Sequence, residues 1–343
     1  MELERPDLDG VDPEVVAYIE ALEAAVAGVT RRESASRATE PELDPSEPPT
    51  TMNVITVSRA GVAKRTPRHL YARQRRGGMG VFDLDIPKED APSLLAVADV
   101  SESLLLFTSQ GRAFRLPVAS IVETEVHGRG QPLGLPLPWM PGEHVVALLP
   151  ADAGNQVAIV SERGQVHRIR ASFVSQRMVP GVRFHDSKSG GPLVAACWTG
   201  GEDDLFVVTR AGIGIRFPEE RIYDPGSLGI RVGRDDSVVA IASVNEESAV
   251  FLLGADGKGT LRLMSGFAAN KQPGGSGKAA MKTTALVAAG AVQPEDDLFV
   301  ISRLSKIVRF QAADIPAKEG VVQGVVCMAL RADACVAAAA GRV

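Results

Sequence analysis

The sequence predicts an all-β fold: a six-bladed, propeller-like ring with about four short strands per blade, preceded by one N-terminal helix and a flexible linker. Three observations predict it. After Thr50, short apolar runs alternate with Gly, Pro and Asp, the punctuation of strands and turns. A unit of two such runs, joined by a polar turn and ending in arginine, recurs six times. Each unit then has a glycine-bearing second half leading into another apolar run. A repeat of this kind buries its faces only against its neighbours, which suits a ring. A β-solenoid or a pair of β-sandwiches is the other architecture with such a period.

The elements follow in chain order. Asp12-Pro13-Glu14 starts a helix: a capping carboxylate, proline at the first helical position and an acid in the first turn. Val15, Ile19, Leu22, Val26 and Val29 make one apolar stripe, and the helix is expected to run to about Arg32. Two heptads form a marginal coiled coil, so the stripe either docks or frays. Residues 1–33 are thus an acidic segment with an amphipathic helix. Residues 34–50, rich in Ser, Glu and Pro, read as a disordered linker.

From residue 51 to 343 the units line up. They are MNVITVSRAGVAKR from Met52, SLLLFTSQGRAFR from Ser103, NQVAIVSERGQVHR from Asn155, DDLFVVTRAGIGIR from Asp203, AVFLLGADGKGTLR from Ala249 and DDLFVISRLSKIVR from Asp296. Their final arginines are Arg65, Arg115, Arg168, Arg216, Arg262 and Arg309, spaced by 50, 53, 48, 46 and 47 residues. Glycine stands four residues before the arginine in the first four units; the fifth reads as carrying a one-residue insertion at the turn, and the sixth has Ser305 there.

Composition limits the function. Apolar content of 45% and charged content of 23% suit a folded protein, and no apolar run is long enough to span a bilayer. Cys197, Cys327 and Cys335 form no CxxC pair, which points to buried thiols in a reduced, cytoplasmic setting. The net charge of −5 is unevenly spread. Residues 1–50 hold 13 acidic and 4 basic side chains, and the remainder 29 and 33, so the folded body is mildly basic.

That basic charge concentrates in Arg59–Gly80, RAGVAKRTPRHLYARQRRGGMG. The stretch holds Arg59, Lys64, Arg65, Arg68, Arg73, Arg75 and Arg76 and no acid. It is either a solvated face or, because glycines beside the cations let backbone approach a ligand, a seat for a polyanion such as the DNA backbone.

The unit "strand, Thr/Ser-x-x-Gly-x-x-x-Arg, glycine loop" resembles the repeat of the DNA gyrase A C-terminal domain. Gln74-Arg75-Arg76-Gly77-Gly78-Met79-Gly80 resembles that family's seven-residue box, which lies in the first blade. The resemblance runs from about Met52 to the end. It implies a six-bladed β-pinwheel that binds duplex DNA around its outer rim, bends it, and presents it to a topoisomerase core. It implies DNA contact by Gln74, Arg75 and Arg76, with Gly77, Gly78 and Gly80 shaping the loop. Lys64, Arg65, Arg68 and Arg73 join them as basic neighbours. Met79 departs from the family, which usually carries a basic residue there. The unit-ending arginines either contact DNA or serve blade geometry by pairing with carboxylates and carbonyls.

No catalytic chemistry is expected. Tyr18, Tyr71 and Tyr223 lack the preceding arginine of the family's cleavage tyrosine, and the chain reads as a pinwheel without a cleavage domain. Gly254–Thr260 and Gly274–Ala279 imitate nucleotide loops but miss the required Gly and Ser/Thr, and read as β-turns. The five histidines show no metal spacing. Glu202-Asp203-Asp204 and Glu295-Asp296-Asp297 read as turn or strand-start residues. No cofactor or metal is expected, and no membrane. The expected partners are double-stranded DNA and gyrase or topoisomerase IV subunits, with the chain as an accessory or split part acting on nucleoid DNA. The alternative is a propeller-type protein-interaction module, or gyrase-associated regulator, that has lost wrapping. An acidic leader that folds over the basic rim as an autoinhibitor is a further expectation from charge alone.

Overall fold

The computed structural model describes residues 15, 16, 19 and 47–341, apart from 88 and 224. The chain divides into two units, Met1–Leu43 and Asp44–Val343. In the first, Val15, Val16 and Ile19 are helical; the rest of the expected helix, and the linker up to residue 46, lie outside the described residues. Glu47, within the expected linker, is held by Arg68 at 3.0 Å and by Arg309.

The second unit is built from six sheets of the same plan. In blade 1 the strands run, from inside outward, Pro92–Asp99, Met52–Ser58, Val62–Pro67 and Gln131–Pro132. The inner three come from one repeat. The two-residue outer strand comes from the next in every blade, and blade 5 takes two such strands, Ala317–Lys318 in parallel and Val325–Val326 antiparallel. Blade 6 borrows its outer strand, Val81–Phe82, from the first repeat, pairing Lys306 with Phe82 and Ile307 with Val81. The ring is therefore closed by the chain's own beginning. The inner strands Pro92–Asp99, Val145–Pro150, Leu193–Thr199, Val238–Val244, Leu286–Val292 and Cys335–Gly341 pack side by side around the centre, the last returning to the first. The last two are rich in alanine and glycine (LVAAGAV, CVAAAAG), which suits strands converging where there is little room.

The hydrophobic core lies between blades. Ile55, Leu104, Leu106 and Phe114 pack between blades 1 and 2, and Phe206, Leu252 and Phe267 between blades 4 and 5. Each middle hairpin turns on a residue with positive φ: Gly61, Gly111, Gly164, Gly212 and Gly257, with Ser305 at φ 61° in blade 6.

The register corrects the alignment of the fifth unit. Its turn has the same length as the others: Leu253 pairs with Gly259 as Val57 pairs with Ala63. The residue equivalent to Arg65 is Leu261, and Arg262 lies one position further on, toward the opposite face of the sheet. Among the described residues its guanidinium bonds the Gly266 carbonyl alone, at 3.0 Å, and stacks on Phe267.

The other five arginines share one geometry. Each donates to carbonyls in the 3-10 turn region of the next repeat: Arg65 to Ile121, Arg115 to Val174, Arg168 to Ile222, Arg216 to Met264 and Phe267, and Arg309 to Arg68 and Tyr71. Each also has a carboxylate, among them Asp152 at 2.7 Å from Arg115 and Asp204 at 2.7 Å from Arg216. These arginines staple blade to blade. Asp204 and Asp297 start equivalent strands, as expected, and their role there is to hold Arg216 and Arg309.

Candidate nucleic-acid interface

The box loop leaves blade 1 at Tyr71 and crosses to blade 6. The Gln74 N–H donates to the Arg309 carbonyl at 2.8 Å, the Gly77 N–H to Cys327 at 2.7 Å, and the Ala329 N–H to Gly78 at 2.9 Å. Gly80 has φ +74°, and a Cβ there would stand 2.6 Å from the Ile307 carbonyl. The glycine at position 80 is thus required by the approach of the edge strand that closes the ring. At Gly78 the tightest contact of a Cβ would be the Gln74 amide oxygen, at 2.5 Å, the end of a flexible side chain.

Beneath the loop sits a buried polar knot. Asp83, fully buried, accepts from the Tyr71 hydroxyl and the Thr56 hydroxyl at 2.6 Å each and faces the Lys64 ammonium at 2.8 Å. Lys64 also donates to the Glu125 carbonyl at 3.0 Å and to that of Val126. Burial holds the Lys64 pKa below the ordinary lysine range against the opposing pull of Asp83. Burial, helped by the Asp83 charge, pushes the Tyr71 hydroxyl well up. Both side chains of the Lys64–Asp83 pair have no exposed surface.

The basic run therefore separates into two sets. Lys64 is enclosed, which removes it from any surface contact. Arg65 is paired with Glu123 and Arg68 with Glu47, their side chains 13% and 8% exposed. Arg73 is bidentate to Asp297, at 2.9 and 3.2 Å, so its charge is compensated. Arg75 and Arg76 are exposed. Arg76 donates to the Asp314 carbonyl at 2.9 Å and to Val326 at 3.3 Å, which aims its guanidinium along the blade edge. Arg75 has no hydrogen bond or ion pair among the described residues. Met79 is exposed beside them.

The structure adds cations that the repeats did not reveal. On or within a few residues of the outer strands stand Arg129 in blade 1, Arg183 in blade 2, Arg231 in blade 3, Lys278 in blade 4 and Lys318 in blade 5, all exposed. At blade 6 the position equivalent to Arg129 is Met79, and the exposed cations Arg75 and Arg76 lie further back, on the loop that leads to the outer strand Val81–Phe82. Arg129 is 84% exposed and pairs with Asp85, at 3.5 Å. These residues escape a repeat search because they sit on or near two-residue strands, too short to show a period.

Burial also settles the cysteines. It pushes the Cys327 and Cys335 thiols to about 12, leaving both protonated at neutral pH.

The family described as the DNA gyrase C-terminal domain, beta-propeller, matches residues 53–91, 102–132 and 203–245. From residue 51 onward, the chain is a six-bladed β-propeller similar to the DNA gyrase A C-terminal domain. The DNA gyrase A protein of Salmonella typhimurium is 27% identical over 285 residues, covering 80% of this chain and 32% of that protein. Its Chlamydia pneumoniae counterpart is 28% identical over 288 residues, covering 79% and 34%. This chain thus spans about a third of the length of those relatives. A solved DNA gyrase A C-terminal domain superposes with a TM-score of 0.71 at 17% identity, covering 84% of this chain and 99% of that one. The C-terminal domain of DNA topoisomerase IV superposes at 0.59, also at 17% identity, covering 85% and 93%.

Proposed function

We propose that this propeller binds duplex DNA along its outer rim and bends it, as the DNA-handling part of a type II topoisomerase reaction. The observation that carries this reading is the set of exposed cations at or near the short outer strands of blades 1 to 5, Arg129, Arg183, Arg231, Lys278 and Lys318, joined by Arg75 and Arg76 on the loop that leads to the outer strand of blade 6. Bending duplex DNA costs about 1–6 kcal/mol per 20–30 base pairs, and phosphate contacts spread around a convex edge offset it by releasing counterions. Such contacts position DNA without reading its sequence. No bond is made or broken by the propeller itself. It works in the cytoplasm beside gyrase or topoisomerase IV subunits that cut the DNA.

Within the basic run, Arg75 and Arg76 carry the box's contact with phosphate. Gln74, Gly77, Gly78 and Gly80 shape the loop that presents them, and Lys64, Arg65, Arg68 and Arg73 support it from within. The test is duplex binding across a salt series. Arg75→Ala with Arg76→Ala is expected to reduce the slope of log affinity against log salt by about two units, at roughly one per phosphate. An unchanged slope would remove the box from the interface. The alternative, a protein-interaction propeller, draws support from the compensated charges of Lys64, Arg65, Arg68 and Arg73. Absence of duplex binding near physiological salt would favour it.

A further inference from the structure

In four blades, a segment of the next repeat covers the outer edge of the strand that follows the hairpin turn. In blade 1 the Arg65 N–H donates to the Val122 carbonyl at 2.9 Å, the Thr124 N–H returns to Arg65 at 3.0 Å, and Glu123 lies alongside. In blade 4 the Asn270 N–H bonds Arg216, in blade 6 the Gln74 N–H bonds Arg309, and in blade 5 Ala317–Lys318 pairs with Leu261 and Arg262. In blades 1, 4 and 6 the donor stands three residues past the residue that closes the 3-10 turn: Ile121 to Thr124, Phe267 to Asn270, Tyr71 to Gln74.

Blade 2 has no backbone bond to Arg115 among the described residues, and blade 3 departs further. The equivalent residue, three past Ile222, is Pro225, which has no N–H to give. The loop from Ile222 reaches its outer strand Ser227–Leu228 at once, and that strand pairs only with Gln165 and Val166. Arg168 holds the register of Arg65, opposite Ala158 as Arg65 is opposite Ile55. Its N–H and carbonyl therefore face outward, and neither bonds another backbone group among the described residues. A cavity of about 750 Å³ opens there, lined by Arg168, Ile169, Arg170, Phe173, Ile222 and Tyr223. Phe173 and Tyr223 are 62% and 61% exposed at its sides. The Arg168 Nε is buried without a hydrogen-bond partner, and its nearest carboxylate, Glu219, stands 3.8 Å away. Arg170 is exposed.

We propose that this open edge binds an extended acidic peptide of a partner protein, added as a short strand where blades 1, 4, 5 and 6 use their own chain. An unpaired strand edge is a template for such addition, with main-chain bonds supplying affinity and flanking pockets supplying selectivity. Blade 1 defines the ligand's chemistry. An apolar residue, a glutamate and a residue with a free N–H in succession would seat the apolar side chain between Phe173 and Tyr223. The carboxylate would then reach Arg168 and Arg170, as Glu123 reaches Arg65. Duplex DNA offers neither a backbone N–H nor an apolar side chain to this groove.

The test uses the full chain and a capped synthetic peptide of its own Ser120–Val126 sequence, SIVETEV, followed by amide NMR shifts and fluorescence anisotropy. Saturable shifts confined to Arg168–Phe173 and the Ile222–Gly226 loop are expected. Arg170→Glu, at an exposed position that leaves the fold alone, should weaken binding about tenfold, and a peptide with both glutamates changed to lysine should fail to bind. Methylating the peptide nitrogen of the residue after the first glutamate removes one main-chain hydrogen bond and should cost about threefold to tenfold in affinity. No shifts up to about 1 mM peptide, a millimolar ligand being the weak end of specific binding, would overturn the proposal. So would indifference to both the methylation and Arg170→Glu, or occupation of the groove by a single-stranded oligonucleotide in place of the peptide.

Discussion

The box loop and the loop from Ile222 to Gly226 hold equivalent places in their repeats, yet they do opposite things. The box loop is long enough to run beside blade 6, bond Arg309 and Cys327 through the backbone, and deliver the strand that closes the ring. The blade 3 loop takes the short way, has a proline where its counterpart has an N–H donor, and leaves the Arg168 edge facing a cavity. One repeat plan therefore yields a self-sealed joint or an open one, according to loop length and a single amide hydrogen.

Four perturbations would break or sharpen that contrast. The largest effect is expected from Asp83→Leu under the sealed joint. It strands the Lys64 ammonium without its counter-charge, and losing one partner of a buried pair costs about 3–5 kcal/mol. Chemical denaturation should show it, and restored stability in Asp83→Leu with Lys64→Met would identify the stranded charge as the cause. Next comes Gly80→Ala, which forces a side chain into positive φ and against the Ile307 carbonyl. A cost of about 1–3 kcal/mol is expected, with faster amide exchange along Lys306–Gln311 and none of that effect at blade 3.

An acid-linked loss follows. Burial tends to raise the Glu143 pKa, but hydrogen bonds from Arg112, Thr108 and the Met140 N–H outweigh it and hold the group below its ordinary value of 4.5. A carboxylate depressed in the folded state stabilises above its unfolded pKa, and that contribution fades as pH falls through the folded one. As pH falls from neutrality through the carboxylate range, acid should therefore cost the wild type more stability than it costs Glu143→Gln, by denaturant midpoint. Parallel pH curves would contradict the assignment. The smallest effect belongs to the rim: Arg129→Ala should lower the salt slope of duplex binding by about one unit while leaving the melting temperature alone, since an exposed pair contributes about 0–1 kcal/mol.

Much of this architecture could be read from the chain because its causes are local. The turn glycines, the apolar runs and their period announce six hairpins before any contact is known, and Asp204 and Asp297 are visible at matching strand starts. The arginines were equally visible, but their partners were not. Arg309 meets Glu47 and Tyr71 across more than 230 positions of chain, and no spacing rule reaches that far. Arg262 aligns by its chemistry, whereas its register follows from the turn, which places it one step away from the staples. The rim cations went unseen because the two-residue strands that they lie on or near have no periodicity to detect.

The amino-acid sequence alone determined the all-β class, the six repeats and the location of the basic run, because turn propensity and alternation act between near neighbours. Only the tertiary structure decided which cations face water and which are enclosed, that the ring closes through Val81–Phe82, and that the Arg168 edge of blade 3 faces a cavity. Those outcomes depend on pairings between distant segments, where burial and a neighbouring carboxylate, rather than residue type, set what a charge can do.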